Sequence, residues 1–236
     1  MISSLFNSLL VTPFYNILII LTGIIPGADI GVAIVILTIL VKILLLPLYQ
    51  QSLKTQKALK KIEPELTQIK EKYKDNKVEQ TRLILELYQK YQIHPLSSVL
   101  MVFIQIPIIL ALFFVFRDSL TTTGHTLYFF VIKPEIISTH FLGLIDITTK
   151  SVWFAGLTAL TQGIYLWQTV PKPEKKELGQ SWQKDFQHGM SLQMRYGAPV
   201  LIFFVSWGFP IAVSLYWITS NIFASGFELI KKQFED

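Results

Sequence analysis

The chain has 236 residues, 51% of them hydrophobic and only 16% charged. An ordinary soluble domain carries about a quarter charged residues, and mean hydropathy here is +0.46, so the composition excludes a disordered chain and an ordinary water-soluble globule and points to a membrane protein. Lys and Arg number 21 against 16 Asp and Glu, a net charge of +5; in a membrane protein that excess reports cytoplasmic loops rather than a specific nucleic-acid partner. The absence of cysteine excludes disulfides, thiolate metal sites and a Cys nucleophile.

Residues 1–29 read as an extracytoplasmic amino terminus. The apolar run 14–25 is too short to span and lies between Pro13 and Pro26-Gly27, so an interfacial helix is expected. No basic region precedes it, and no cleavable signal is expected. Residues 30–49 form the first predicted span: twenty residues with one charge, Lys42, and Pro47 marking the exit. A helix of that length covers about 30 Å, the hydrocarbon thickness. Residues 50–93 hold ten Lys or Arg and six Asp or Glu. Apolar residues recur at Ile62, Leu66, Ile69 and Tyr73, then at Ile84, Leu87, Tyr88 and Tyr91, with Asp75-Asn76 between the runs. This spacing predicts a helical hairpin with one apolar seam and solvated outer faces.

Residues 94–117 are the second span, containing Gln105 and Pro107, and 118–150 a loop poor in basic residues. Residues 151–170 are the third span and 171–195 a second basic loop. The apolar stretch after it is too long for one helix and is broken at Gly208-Phe209-Pro210. It therefore divides into a fourth span, 196–208, and a fifth, 209–230, before the tail 231–236. Most of the basic residues fall in 50–93, 171–195 and the Lys231-Lys232 tail, all on one side of a five-span layout. The positive-inside rule makes that side cytoplasmic and leaves the amino terminus outside. The expected fold is an all-α integral membrane protein with five transmembrane helices and a cytoplasmic helical hairpin.

Lys42 is the most informative residue, because a lysine inside a span costs a few kcal/mol and normally faces water or a partner. It stands close enough to the cytoplasmic end for snorkelling to be the plain alternative. No acid stands in the core of another predicted span, which favours a hydrated cavity around a positive charge over a buried ion pair. Thr38 lies one turn from Lys42. Thr158, Thr161, Gln162 and Tyr165 fall on one face of the third span, and Ser214, Trp217 and Asn221 on one face of the fifth, beside Tyr216 and Ser220. Gln105 is mid-span in the second. Each could equally serve an interhelical hydrogen bond. Together the stripes suggest a polar groove of positive sign within the bilayer. His94, His125, His140 and His188 are isolated, without metal-ligand spacing, so no enzyme and no cofactor is expected.

Four segments resemble the YidC/Oxa/Alb family of membrane protein insertases. They are ILTILVKILLLPL at 36–48, KIEPELTQIKEKYKDN at 61–76, HPLSSVLMVFIQIPIILAL at 94–112, and YGAPVLIFF with PIAVSLYWITSNIF at 196–223. Each motif alone is moderate; all four in order are highly specific. The resemblance implies a five-span core around a hydrophilic groove open to cytoplasm and lipid and closed outside. It carries three groove positions onto Lys42, Gln105 and Trp217. The family's usual Arg is Lys at 42, which keeps the charge but loses the planar fork, and the usual Asn before Pro-Leu is His94. No extra amino-terminal span, large periplasmic domain, lipoprotein Cys or long basic tail is visible, so a minimal core in a bacterial plasma membrane is expected. Its implied partners are nascent membrane proteins and the lipid bilayer, with the ribosome and the Sec translocon as candidates. A small-solute transporter or channel subunit, and a non-inserting assembly scaffold, are the alternatives.

Overall fold

A computed structural model describes residues 2–93, 96–119, 126–170, 189 and 191–235. The start of the predicted second span at His94-Pro95, the first part of the 118–150 loop and most of the 171–195 loop lie outside the described residues. The chain is helical almost throughout. α1 (Ile2–Phe6), a π-helical turn (Asn7–Val11) and α2 (Thr12–Ile24) follow one another without a break. A single 3₁₀ turn (Pro26–Ala28) leads into α3 (Ile30–Lys72), followed by α4 (Lys77–Lys90) and α5 (Leu96–Ser119). A two-stranded hairpin, β1 (His140–Phe141) and β2 (Ile145–Asp146), precedes α6 (Val152–Thr169), α7 (Ala198–Gly208) and α8 (Ile211–Glu235).

Three boundaries differ from the sequence reading. Pro13 does not start a helix: it follows residues already in helical conformation, so 2–24 is one helical run. Ser4–Ile24 and Ile30–Thr55 are then both long and apolar enough to cross a membrane by length and composition. Pro47 does not end α3, which runs on through Pro64 to Lys72. Each proline removes one helical donor, leaving the carbonyls of Ile43 and Lys60 without their usual i+4 partner, but the flanking turns hold the helix. The run preceding α7 is helical from 191 onward through a π-helical turn (Gln193–Gly197), so the fourth helical segment is longer than 196–208. The break at Phe209-Pro210 stands as predicted.

The chain forms two compact units, Met1–Lys42 with Ala111–Asp236, and Ile43–Leu110. The second contains the hairpin. Ile62, Leu66, Leu87 and Ile93 form its buried seam, with Ile69, Ile84, Tyr88 and Tyr91 packed against them. Asn76 caps α4 by accepting the Glu79 N–H at 3.1 Å, and Gln80 Nε2 reaches back to the Lys70 carbonyl at 2.8 Å. The Tyr91 hydroxyl donates to Glu65 at 2.6 Å, a bond that raises its pKa above the ordinary tyrosine range. Hydrophobic spacing dictated the seam, and side-chain bonds at the turn fix its register.

The first unit is gathered at one end by the segment 126–150. Asn16, buried in the middle of the first helical run, donates to the Thr126 carbonyl at 3.0 Å and accepts the Tyr128 N–H at 2.8 Å. Asp29 caps α3 through the N–H groups of Gly31 (2.8 Å) and Val32 (3.1 Å), and its other oxygen accepts the Leu142 N–H at 2.6 Å. The main chain adds Ile30 N–H to Ser138 O and Ser138 N–H to Ala28 O. Further along, the carbonyls of Thr149 and Ile147 accept the first N–H groups of α8, from Ile211 (2.9 Å) and Ala212 (3.0 Å). Orphan donors at two helix starts are thus satisfied by one irregular segment. Asp146 helps shape it: Thr148 donates to its carboxylate from N–H and hydroxyl, holding the acid below the ordinary carboxylate range.

Gly31 is the point of closest approach. A Cβ there would lie 2.7 Å from Phe141 Cδ2 and 2.8 Å from its Cβ. Gly31→Ala should therefore cost about 1–3 kcal/mol by overpacking, read as a lower Tm in detergent. Phe141→Gly in the same chain, which removes both clashing atoms, should recover part of the loss, because the two sites share one contact. An unchanged Tm for Gly31→Ala would mean that this contact is not made.

Candidate functional site

The polar residues singled out in the sequence divide into two groups. α6 packs against both α7 and α8. The two-residue break at Phe209-Pro210 separates α7 from α8, and Pro210 brings no N–H to a continuing helix. On the faces that meet, the large residues are interrupted by Thr158, Ser206 and Ser214, all buried. Their hydroxyls form one relay. Ser214 donates to Ser206 across 2.9 Å, Ser206 to Thr158 at 3.4 Å, and Thr158 to its own helix at the Phe154 carbonyl at 2.8 Å. In this sense each hydroxyl donates once and none is left over. Below it, Asn221 donates to Thr161 at 3.3 Å, and Thr161 returns its proton to the Thr158 carbonyl at 3.0 Å.

Thr38 is buried and bonded to its own helix at the Ile34 carbonyl, 2.7 Å away. Tyr216 is buried as well. So Thr38, Thr158, Ser214, Tyr216 and Asn221 face protein, and the interhelical or intrahelical bond accounts for four of them. Lys42, Gln162, Tyr165 and Trp217, all in the first unit, are half-buried. Gln105 is also half-buried and belongs to the second unit. Lys42 follows Thr38 by one turn on α3, so the same helix face passes from a sealed hydroxyl to a half-buried lysine.

Several residues that position this region were not singled out in the sequence. Ser206 is the centre of the relay; its signal was a lone hydroxyl in an otherwise apolar run. Asp29 carries the signature of a helix cap, an acid directly before an apolar run. Asn16 gave only the hint of an amide within apolar surroundings. Glu228, on α8, is a buried acid between Phe227 and Leu229. Arg195, counted above with the basic loop, is buried in the helical run before α7; it donates to the Val170 carbonyl at 3.0 Å and lies over the Trp167 ring. It therefore caps the end of α6, where a cation also favours the helix dipole. Among the described residues no His, Cys, Asp or Glu group is arranged to hold a metal ion.

Ser206→Ala should cost about 0.5–2 kcal/mol, the range for hydrogen bonds between membrane helices, because it takes the acceptor from the Ser214 hydroxyl and the link to Thr158. Thermal unfolding in detergent, with Ser8→Ala on the exposed first helical run as control, measures it. A cost no larger than the control's would dissolve the relay.

Residues 20–235 match the family described as 60Kd inner membrane protein. A Fusobacterium nucleatum protein named membrane protein insertase YidC is 31% identical over 194 residues, covering 82% of each chain. Its Clostridium tetani namesake is 28% identical over 210 residues, covering 89% of this chain and 84% of the relative. One from Pelobacter propionicus is 29% identical over 199 residues, covering 83% of this chain but only 34% of the relative; the chain thus aligns with about a third of that longer protein. A match along nearly the whole chain, on a helical framework with membrane-length apolar helices, makes this chain, similar along most of its length to proteins named membrane protein insertase YidC, a member of the 60Kd inner membrane protein family.

Proposed function

We propose that the chain is a membrane protein insertase that works without nucleotide hydrolysis, through a positively charged hydrated groove among five spans. The family match along residues 20–235 carries this reading. The five spans are the first part of α3, α5, α6, the helical run ending in α7, and α8. The α3–α4 hairpin, the basic loop and the carboxyl terminus face the cytoplasm. The first helical run, 2–24, lies along the outer surface. Although it is long enough to span, Asn16 at its middle bonds the irregular backbone at Thr126 and Tyr128. Irregular backbone belongs at the bilayer surface far more readily than at its centre.

The half-buried residues Lys42, Gln162, Tyr165 and Trp217 are the groove's polar surface. The remaining polar residues hold the groove wall together. A hydrophilic segment of a nascent membrane protein enters from the cytoplasm while its apolar helix moves into lipid. Water and the Lys42 ammonium lower the cost of bringing acidic groups into the low-dielectric layer. The driving force is burial of the substrate helix, plus about 2.3 kcal/mol per negative charge moving outward across 100 mV.

The test is insertion into liposomes containing only this chain, using two short substrates that differ only in the acidity of the translocated tail. A charge–charge interaction over about 8–16 Å at an effective dielectric near 20 amounts to about 1–2 kcal/mol. Lys42→Ala should therefore slow the acidic substrate roughly five- to thirty-fold more than the neutral one, and Lys42→Arg should stay near wild type. Equal slowing of both would remove the electrostatic role. Solute leakage without insertion would favour a channel, and neither activity a scaffold. The chain has no cysteine, so Lys74→Cys and Lys150→Cys report topology directly. Lys74→Cys should label from the cytoplasm and Lys150→Cys, exposed just before α6, from outside; the reverse would invert the proposed orientation.

A further inference from the structure

The segment 126–150 does more than tie helices together. Its outer surface carries a run of large apolar side chains, with Lys133, Glu135 and His140 exposed among them. Phe129 is fully exposed, Ile132 and Ile136 are about four-fifths exposed, and Phe130 is 60% exposed. Phe129 and Phe130 stack edge to face at 5.2 Å, and Tyr128 lies 5.5 Å from Phe130. A second apolar point stands at the tip of the β-hairpin, where Leu142 and Leu144 are 65% and 82% exposed. Scattered exposed apolar residues are ordinary, but this many on one short segment are not.

The hairpin tip is also strained. The Leu144 N–H bonds the Phe141 carbonyl around Leu142 (φ 53°) and Gly143 (φ 72°). Two positive φ values make this the mirror-image turn that favours Asn-Gly. A leucine in the first central position meets its own backbone there, and Asn would fit better at no cost in solubility. The tip therefore carries an apolar side chain at a position that selects against one, which directs attention to what that side chain touches.

The neighbouring surface identifies the occupant. Ser151, directly after the segment, caps α6. The exposed residues of α6 are Val152, Trp153, Leu157, Leu160, Ile164 and Trp167; from Trp153 on they form one helical stripe with a tryptophan at each end, as on helices that face lipid with their ends at the headgroups. On the other side, Asn16 anchors the segment to a helical run that exposes Ser4, Asn7 and Ser8 near its start and Leu9, Ile17, Ile20 and Ile24 along one apolar face. The exposed loop residues thus continue a lipid-facing surface at the level where it reaches the headgroups.

We propose that residues 128–144 seat in the extracytoplasmic leaflet, with Phe129, Phe130, Ile132, Leu142 and Leu144 among the acyl chains and headgroups, as a preformed anchor that fixes the depth of the membrane domain. The choice of leaflet rests on the orientation proposed above; insertion into lipid does not.

The experiment uses single-cysteine variants of the full chain, Phe129→Cys, Ile132→Cys and Leu144→Cys, carrying an environment-sensitive fluorophore in lipid nanodiscs. Lys74→Cys in the α3–α4 turn is the water-facing control. Brominated lipid should quench the three loop labels several-fold more than the Lys74 label, and aqueous iodide should quench them several-fold less. Iodide quenching equal to that at Lys74 would place the segment in water and overturn the proposal. Protection from both quenchers would mean that protein, a second copy or another partner, covers the segment, and would overturn it equally. Nanodiscs expose both faces, so these readings do not depend on which side is cytoplasmic. Lys150→Cys labelling in sealed vesicles tests that orientation separately.

Discussion

One carboxylate joins the two parts of the first unit that sequence distance keeps furthest apart. Asp29 caps α3 with one oxygen and holds the β-hairpin through Leu142 with the other. Hydrogen bonds to an ionised acceptor are about twice as strong as neutral ones, and this acid is buried, so both halves of the grip strengthen in the same dry place. The close approach of Gly31 to Phe141 follows from it, as do the backbone bridges at Ser138. Through the same segment the start of α8 is satisfied by the carbonyls of Ile147 and Thr149. These bonds draw the helix starts of the first unit together at one end.

The helices were legible because their physics is local. Twenty apolar residues around Lys42, the 4-3-4 seam from Ile62 to Tyr73 and the break at Phe209-Pro210 all read directly from spacing. Two of the three boundaries that moved did so where a proline was taken as a stop; the third moved because Arg195 was read with the basic loop. Pro13 and Pro47 sit inside helices because proline removes one donor, and neighbouring turns can carry the loss in a membrane protein. The segment 126–150 was not legible: most of its bonds come from main-chain atoms, and its side-chain anchors, Asn16 and Asp29, lie more than a hundred residues away in sequence.

The polar stripes show a different limit. Helical spacing correctly put Thr158 and Thr161 on one face and Ser214 with Asn221 on another. It could not distinguish a hydroxyl facing water from one facing another hydroxyl. The partner of both Thr158 and Ser214 is Ser206, on a helix with no polar stripe to attract notice. A sequence pattern reports which residues share a face; only packing reports what the face meets.

Arg195 has a consequence for chain length. Its bond to the Val170 carbonyl and its position over Trp167 close the base of the connection between α6 and the helical run before α7. Once a loop is pinned at its base, lengthening it is cheap: each doubling costs only about 0.6 kcal/mol in closure entropy. The two helices are therefore insulated from whatever stands between them. This connection is where the chain can gain or lose sequence, accept a tag, or acquire a new contact without disturbing the packing of α6 against α7 and α8.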